Sequence, residues 1–247
     1  MGIEILWLVL RKNKTLRRIY SLPGIHGLIR RFVETVLPSG SRRLLTVRNG
    51  IGKGLRLILD PRWEGALWEG TYEPEVQAIF SKHIRAGTIL YDVGGGVGFY
   101  SLVAARLGAQ VFTFEPDPHN AEAIAHHARL NGLDGSITIV GAAVLSYVGQ
   151  VGLVPADQSR GHGNAFIASV KEGRIIVPCT TLDQFATENP PPNFIKIDVE
   201  GAESEVLKGA VQLLKNIRPL ILCEVHDSAN ERFCVDWLTR VGYDICW

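Results

Sequence analysis

The chain has 247 residues, 46% of them in the hydrophobic set, and a formal net charge of +1. That length suits one substantial α/β core and is short for two large domains, and a charge so near zero gives no global case for a nucleic-acid partner. The cysteines, Cys179, Cys223, Cys234 and Cys246, form no CxxC pair, so zinc-ligand spacing is absent and free buried thiols are expected.

Basic residues crowd the start, where Arg11, Lys12, Lys14, Arg17, Arg18, Arg30, Arg31, Arg42, Arg43 and Arg48 fall within the first fifty positions. Residues 3–10 are an apolar run broken at Glu4, too short to span a bilayer. No small-residue cleavage pattern follows, so a secretory signal is not expected and a cytoplasmic location is the default. Peripheral membrane contact through Trp7 and the basic leader stays open, beside the plainer option that the leader docks on its own core or on a partner.

Residues 38–41 read as a loop, and 44–47 and 55–59 as short strands that would form a small cover. Trp63, Trp68 and Tyr72 then offer aromatic surface, either to stack on a sugar or to pack a lid against the core. A helix over 75–84 feeds the apolar strand Ile89-Leu90-Tyr91-Asp92-Val93, which runs into Gly94-Gly95-Gly96-Val97-Gly98. Helical spacing over 101–107 and a second apolar strand over 111–114 complete a βαβ unit.

Glycines allow a tight turn and close approach of backbone to ligand, and the crevice of an open parallel sheet lies at the carboxyl ends of its strands. Glu115, at the end of the second strand, can accept hydrogen bonds from both hydroxyls of a ribose. A dinucleotide or S-adenosylmethionine would satisfy that arrangement. The spacing disfavours the dinucleotide, because the third glycine of G-x-G-x-x-G falls at Phe99 or at Ser101. Asp92 would also repel a diphosphate, whereas the ammonium of S-adenosylmethionine would find a partner there. The alternative is that the glycines form only a tight turn.

Further along, residues 120–130 read as a helix that ends at Asn131-Gly132, and residues 137–140 as a third strand. Ala142 sits where that strand releases the chain and offers backbone contacts to an adenine. Residues 150–177 break the alternation of strand and helix: 151–154 and 174–177 read as strands of a hairpin-like excursion over the site. Its loop holds His162, a substrate contact or simply an exposed histidine. Residues 194–197 form an apolar strand ending at Asp198, 203–214 a helix, and 220–223 a strand ending at Glu224.

The stretch Phe194-Ile195-Lys196-Ile197-Asp198-Val199-Glu200-Gly201-Ala202-Glu203, the glycine loop and Tyr72-Glu73-Pro74-Glu75 together resemble the FkbM family of S-adenosylmethionine-dependent methyltransferases, over residues 70–226. The resemblance implies a class I methyltransferase (Rossmann-like) fold: α/β, a doubly wound, mostly parallel sheet with an N-terminal extension. It divides the chain into a basic leader and cover, 1–70, and a methyltransferase domain, 71–247. It implies that Asp92, Gly94, Gly96 and Gly98 line the methionine end of S-adenosylmethionine, that Glu115 holds the ribose, that Tyr72 and Glu73 approach the cofactor, and that Asp117 or Asn120 closes the adenosine side. The family loop usually reads D-V-G-A-N-I-G, whereas Gly95-Gly96-Val97 stand here in place of A-N-I.

The reaction that the resemblance implies is O-methylation of a small-molecule hydroxyl of a sugar, glycolipid or related polar metabolite. Transfer to a protein or peptide group, and cofactor binding without catalysis, are the alternatives; the N/D-P-P-Y type of base pocket that would suggest a nucleic-acid acceptor is absent. Parallel neighbouring strands would bring Asp198 and Glu224 to the edge that holds Asp92 and Glu115, with His226 two residues on. His226 or Asp198 is then the candidate general base and Glu224 the orienting group. The same three could bind a divalent ion such as Mg or Mn, which the sequence does not establish. Against this, Lys196 would simply pair with a carboxylate, Asp198 and Glu200 would cap the following helix, and His226-Asp227-Ser228 would be a turn. In the family fold a further antiparallel pair of strands follows the helix around 233–238, and residues 241–247 supply at most a short one; an exposed sheet edge would then favour a homodimer or cover by the leader.

Overall fold

The computed structural model describes residues 42–155, 157 and 165–246. The leader through Ser41 and the loop residue His162 lie outside the described residues. In chain order the elements are β1 (Arg43–Thr46), β2 (Arg56–Leu59), α1 (Gly65–Glu69), α2 (Pro74–His83), β3 (Ile89–Val93), α3 (Phe99–Arg106), β4 (Gln110–Phe114), α4 (Pro118–Asn131), β5 (Ile137–Val140), β6 (Ala143–Val144), β7 (Gly149–Val154), β8 (Phe166–Ala168), β9 (Ile175–Thr180), α5 (Leu182–Glu188), β10 (Phe194–Ile197), α6 (Glu203–Lys208), β11 (Leu220–Cys223) and α7 (Ser228–Arg240).

The central sheet has five parallel strands in the order β11-β10-β3-β4-β5. The chain winds outward from β3 through β4 to β5, then returns to lay β10 on the other side of β3. Connections therefore diverge between β3 and β10, which is where an open α/β sheet forms its binding crevice. Strand alternation feeds both faces. Leu90 and Val111 pack with Phe80, Leu102 and Ile124, while Tyr91, Val93, Phe112 and Phe114 pack with Val206, Leu207, Leu214 and Leu238. Helices thus cover both faces, as the doubly wound reading requires.

β1 and β2 form an antiparallel hairpin, and Leu57 and Leu59, fully buried, join the first of those clusters. His127 ties it down: its Nε2 accepts from the Ile58 amide at 2.9 Å, and Nδ1–H donates to the Val97 carbonyl at 2.9 Å. One buried imidazole therefore links the hairpin, α4 and the glycine loop.

The excursion after β5 is larger than the sequence suggests. β6, β9, β7 and β8 form a second sheet in that order, in which β9 pairs parallel with β6 and antiparallel with β7. β8 escapes a reading by periodicity because it has three residues and its pairing with β7 is not local. The helix expected over 203–214 is also shorter: α6 ends at Lys208 and a π-helical turn follows over Leu213–Ile217. Glycine stands at the break, where a side chain would meet the Leu145 carbonyl oxygen at 2.1 Å.

Among the described residues no strand follows α7 and no helix is long and apolar enough to cross a membrane. All four cysteines are free; Cys179 and Cys234 are buried, but Cys223 is half-buried and Cys246 exposed, contrary to the expectation of buried thiols throughout.

Candidate active site

The turn from β3 to α3 is built by backbone that only glycine adopts readily. Gly94, Gly96 and Gly98 have φ of 88°, 54° and 82°. At Gly94 the constraint is also steric: a Cβ would lie 1.7 Å from the Asp198 carbonyl oxygen, because the ends of β3 and β10 close on each other. At Gly96 the space is open. At Gly95 a Cβ would stand 2.3 Å from Thr113 Cγ2. Thr113 therefore occupies the room that an alanine would need, which gives the departure at position 95 a physical partner.

The loop is held from the next strand. Glu115 accepts from the Gly96 amide through Oε2 at 2.8 Å and from the Asp117 amide through Oε1 at 2.9 Å. Burial pushes its carboxyl up to about 7, against those two hydrogen bonds, which favour the charged form. Asp92 is almost wholly buried; Ser101 Oγ–H donates to its Oδ2, while Oδ1 has no hydrogen-bond partner among the described residues. Burial raises the Asp92 carboxyl as well, opposed by Lys196 and Ser101.

These groups face a cavity of about 390 Å³, which Tyr72, Asp92, Gly94, Gly96, Glu115, Asn120 and Ala142 help to line. Such a volume is in the usual range for small-ligand sites, about 300–1,000 Å³. Leu153 and Ile167, from the second sheet, add apolar wall. Orphaned polar atoms line it: Asp92 Oδ1, Asn120 Oδ1 and Tyr100 Oη are buried without hydrogen-bond partners among the described residues. Burial, with the Glu73 carboxylate nearby, drives the Tyr72 and Tyr100 phenols well up, so both stay neutral. A ligand with a cationic centre, a ribose and a flat apolar ring fits this set, and S-adenosylmethionine has all three.

Three expected cofactor residues lie off the cavity wall. Asp117 does not line the cavity: it is the N-cap of α4 and accepts from the His119 amide at 2.9 Å. Gly98 is the N-cap of α3 and shapes the turn from behind the lining. Glu73 is also off the cavity wall, held with φ 42° immediately before α2. Such a conformation costs a non-glycine residue about 1 kcal/mol or more.

Next to the cavity is a charged edge. The register of β10 against β3 sets Lys196 opposite Asp92, and Lys196 Nζ lies 3.8 Å from Asp92 Oδ1 and 3.0 Å from Asp198 Oδ2. Burial would lower the Lys196 ammonium, but Asp92 and Asp198 outweigh it and raise it. Lys196 and Asp198 both line the cavity. The strand-end neighbour Glu224 is exposed at the residue level, but the protein around its carboxyl partly desolvates it, and that with the Asp198 and Glu73 carboxylates raises it.

His226 sits one residue before Asp227, the N-cap of α7, whose side chain accepts from the Ala229 and Asn230 amides at 2.8 and 2.9 Å. That cap fixes the chain direction at the imidazole. His226 Nδ1 lies 2.7 Å from Glu203 Oε1, and Nε2 lies 3.6 Å from Asp198 Oδ1 and 3.5 Å from Glu200 Oε1. Partial burial lowers the imidazole, but Glu203, Glu200 and Asp198 together raise it. Glu200 reaches it from a turn with φ 51°.

The structure thus brings Asp198, Glu224 and His226 together, as the sequence suggests, and adds Lys196, Glu200 and Glu203. Glu203 carries no sequence signal beyond its place in the strand-to-helix motif, since its role depends on a residue 23 positions away. Asp198, Glu224 and His226 also offer ligand atoms within 4.8 Å of one another, a carboxylate and imidazole set that suits a hard divalent cation.

The five-stranded doubly wound sheet, with a glycine turn after its first strand and a carboxylate at the end of its second, defines a class I S-adenosylmethionine-dependent methyltransferase fold. Residues 92–245 match the methyltransferase FkbM domain, which is most of the chain, and the chain belongs to that family. It is 26% identical over 162 residues to the hexuronic acid methyltransferase AglP of Haloferax volcanii, a match covering 65% of each chain. It is also 32% identical over 124 residues to a ribosomal protein L11 methyltransferase of Pelotomaculum thermopropionicum, covering 42% of this chain and 40% of that one. The chain therefore spans less than two thirds of the length of the curated relatives it matches. The crystal structure of methyltransferase FkbM from Methylobacillus flagellatus has the same fold, with a TM-score of 0.51 at 18% identity over 69% of this chain and 40% of that one.

Proposed function

We propose that the chain is an S-adenosylmethionine-dependent O-methyltransferase whose acceptor is a hydroxyl of a sugar, glycolipid or related polar metabolite. The observation that carries this reading is the imidazole edge at the cavity: His226 Nε2 stands 3.6 Å from Asp198 Oδ1, and Asp198 lines the cavity itself. A hydroxyl is a weak nucleophile and needs such a base near the moment of attack. The likeness to a hexuronic acid methyltransferase supports a sugar acceptor.

S-adenosylmethionine, when bound, supplies a methyl group on a sulfonium. Glu115 would hold the ribose, and the buried Asp92 would answer the positive charge. Asp198, on the cavity wall, would accept a hydrogen bond from a neighbouring hydroxyl of the acceptor and so turn the reacting hydroxyl toward the methyl group. His226 would take the reacting hydroxyl's proton at Nε2 as the oxygen–carbon bond forms and the methyl–sulfur bond breaks, the electron pair leaving with sulfur as a neutral thioether. Lys196 stays charged between Asp92 and Asp198 and keeps their carboxylates from repelling each other.

A second reading gives Asp198, Glu224 and His226 to a Mg or Mn ion, which would polarise the hydroxyl; the closeness of their ligand atoms favours it. Transfer of a labelled methyl group to a panel of neutral, amino and uronic sugars, with EDTA or with added Mg or Mn, tests both. Turnover on a sugar hydroxyl supports the proposal, and turnover in EDTA sets the metal aside. Labelling confined to protein or peptide acceptors would contradict it.

A further inference from the structure

Glu203 is fully buried at the start of α6, a costly place for a carboxylate unless hydrogen bonds answer it. Its Oε1 accepts the Gly201 amide hydrogen at 2.9 Å and lies 2.7 Å from His226 Nδ1, while Oε2 has no hydrogen-bond partner among the described residues. Both contacts therefore converge on one oxygen. The Gly201 contact shows that oxygen acting as an acceptor, so the ring nitrogen facing it is the donor.

We infer that Glu203 is the positioning residue of the charged edge: it holds His226 in the tautomer with the proton on Nδ1 and so presents a bare Nε2 to Asp198, Glu200 and the acceptor. The inference rests on the proposed role of His226 and deepens it. A neutral imidazole has one donor and one acceptor nitrogen, and the hydrogen bond made by one decides the state of the other. Without Glu203 the ring could place its proton on Nε2, toward the Asp198 and Glu200 oxygens at 3.6 and 3.5 Å, where it could accept nothing from a substrate. Glu203 itself touches neither the cavity wall nor the acceptor edge; it acts through the ring.

The test is long-range proton–nitrogen NMR of the full chain labelled with ¹⁵N-histidine, in metal-free buffer alkaline enough to leave the ring neutral, with His226→Gln identifying the signals. The expected wild-type pattern has the proton on Nδ1. Glu203→Gln should mix the tautomers, because its amide can donate to Nδ1, and should lower kcat about 10- to 100-fold with little change in KM for S-adenosylmethionine. A wild-type ring protonated on Nε2 would overturn the inference, and so would Glu203→Gln with both tautomer and kcat unchanged. If Glu203→Gln does not fold, the wild-type spectrum still decides. Proton on Nδ1 together with full turnover by His226→Ala would uphold Glu203 as the group that sets the ring while removing His226 as the base.

Discussion

Lys196 Nζ lies 3.0 Å from Asp198 Oδ2, at the strand pair where the cofactor cavity meets the charged edge. The contact follows from parallel register: β10 runs beside β3, so Lys196 is level with Asp92 and the next carboxylate outward is Asp198. Replacing Lys196 by Met would leave two carboxylates facing each other with no cation between them. Loss of one partner from a buried pair typically costs about 3 kcal/mol or more. Lys196→Met should therefore lower the denaturation midpoint and reduce turnover together, as read by thermal melts and initial rates.

The glycine turn separates two kinds of glycine. Gly94→Ala drives a methyl group into the Asp198 carbonyl and should abolish cofactor binding or folding outright. Gly96→Asn enters open space at a φ that asparagine tolerates, so its melting temperature should stay within about 2 °C of the parent. Calorimetry and melts on the two variants check the contrast.

Position 95 should respond to its neighbour. Gly95→Ala alone meets Thr113 Cγ2 at 2.3 Å, whereas paired with Thr113→Ser it keeps only the 3.0 Å approach to Ile124 Cδ1, so the double variant should melt higher than Gly95→Ala. Equal melting temperatures would show that Thr113 does not set this constraint.

Glu115 gives the pH dependence of cofactor affinity its sign. In the free protein burial holds its carboxyl near 7, and protonation removes acceptor capacity from one oxygen. Ribose hydroxyls hydrogen-bond to the charged form and lower that value on binding, so binding releases a proton between the two. Affinity for S-adenosylmethionine should be steady above pH 7 and fall by up to about tenfold per unit below it, until the bound-state value is reached. Glu115→Gln should bind more weakly and lose this dependence, as read by titrations across pH.

At the charged edge, Asp198→Asn and His226→Ala should each lower kcat about 10²- to 10⁴-fold if the proposed base chemistry holds. His226 does not line the cavity, so His226→Ala should leave S-adenosylmethionine affinity nearly unchanged. Rapid-quench turnover and calorimetry on the same preparations separate the two effects.

The sheet was legible because its strands are short apolar runs ending in chemically distinct residues: Asp92 and the glycines after β3, Glu115 after β4, Asp198 after β10. Parallel pairing then carries those ends to one edge, so the cluster with Glu224 and His226 could be anticipated. What stayed hidden depends on contacts between distant positions. His127 reads as one more helix histidine until β2 lies against α4, and Glu203 as one more acidic residue in a first turn until α7 brings His226 to it. Asp117 has chemistry that suits a ligand and a helix cap equally, and its side chain caps α4 at the His119 amide. The close approach of the Leu145 carbonyl to Gly209, beside the break, is a packing fact with no local signature.

The central claim is that the cavity beside Asp92 and Glu115 binds S-adenosylmethionine, and titration calorimetry of the purified chain tests it most directly. The account predicts one S-adenosylmethionine per chain, competition by S-adenosylhomocysteine, no binding of NAD, and marked weakening in Glu115→Gln. Failure of both adenosyl ligands to bind, or binding of NAD in their place, would contradict it.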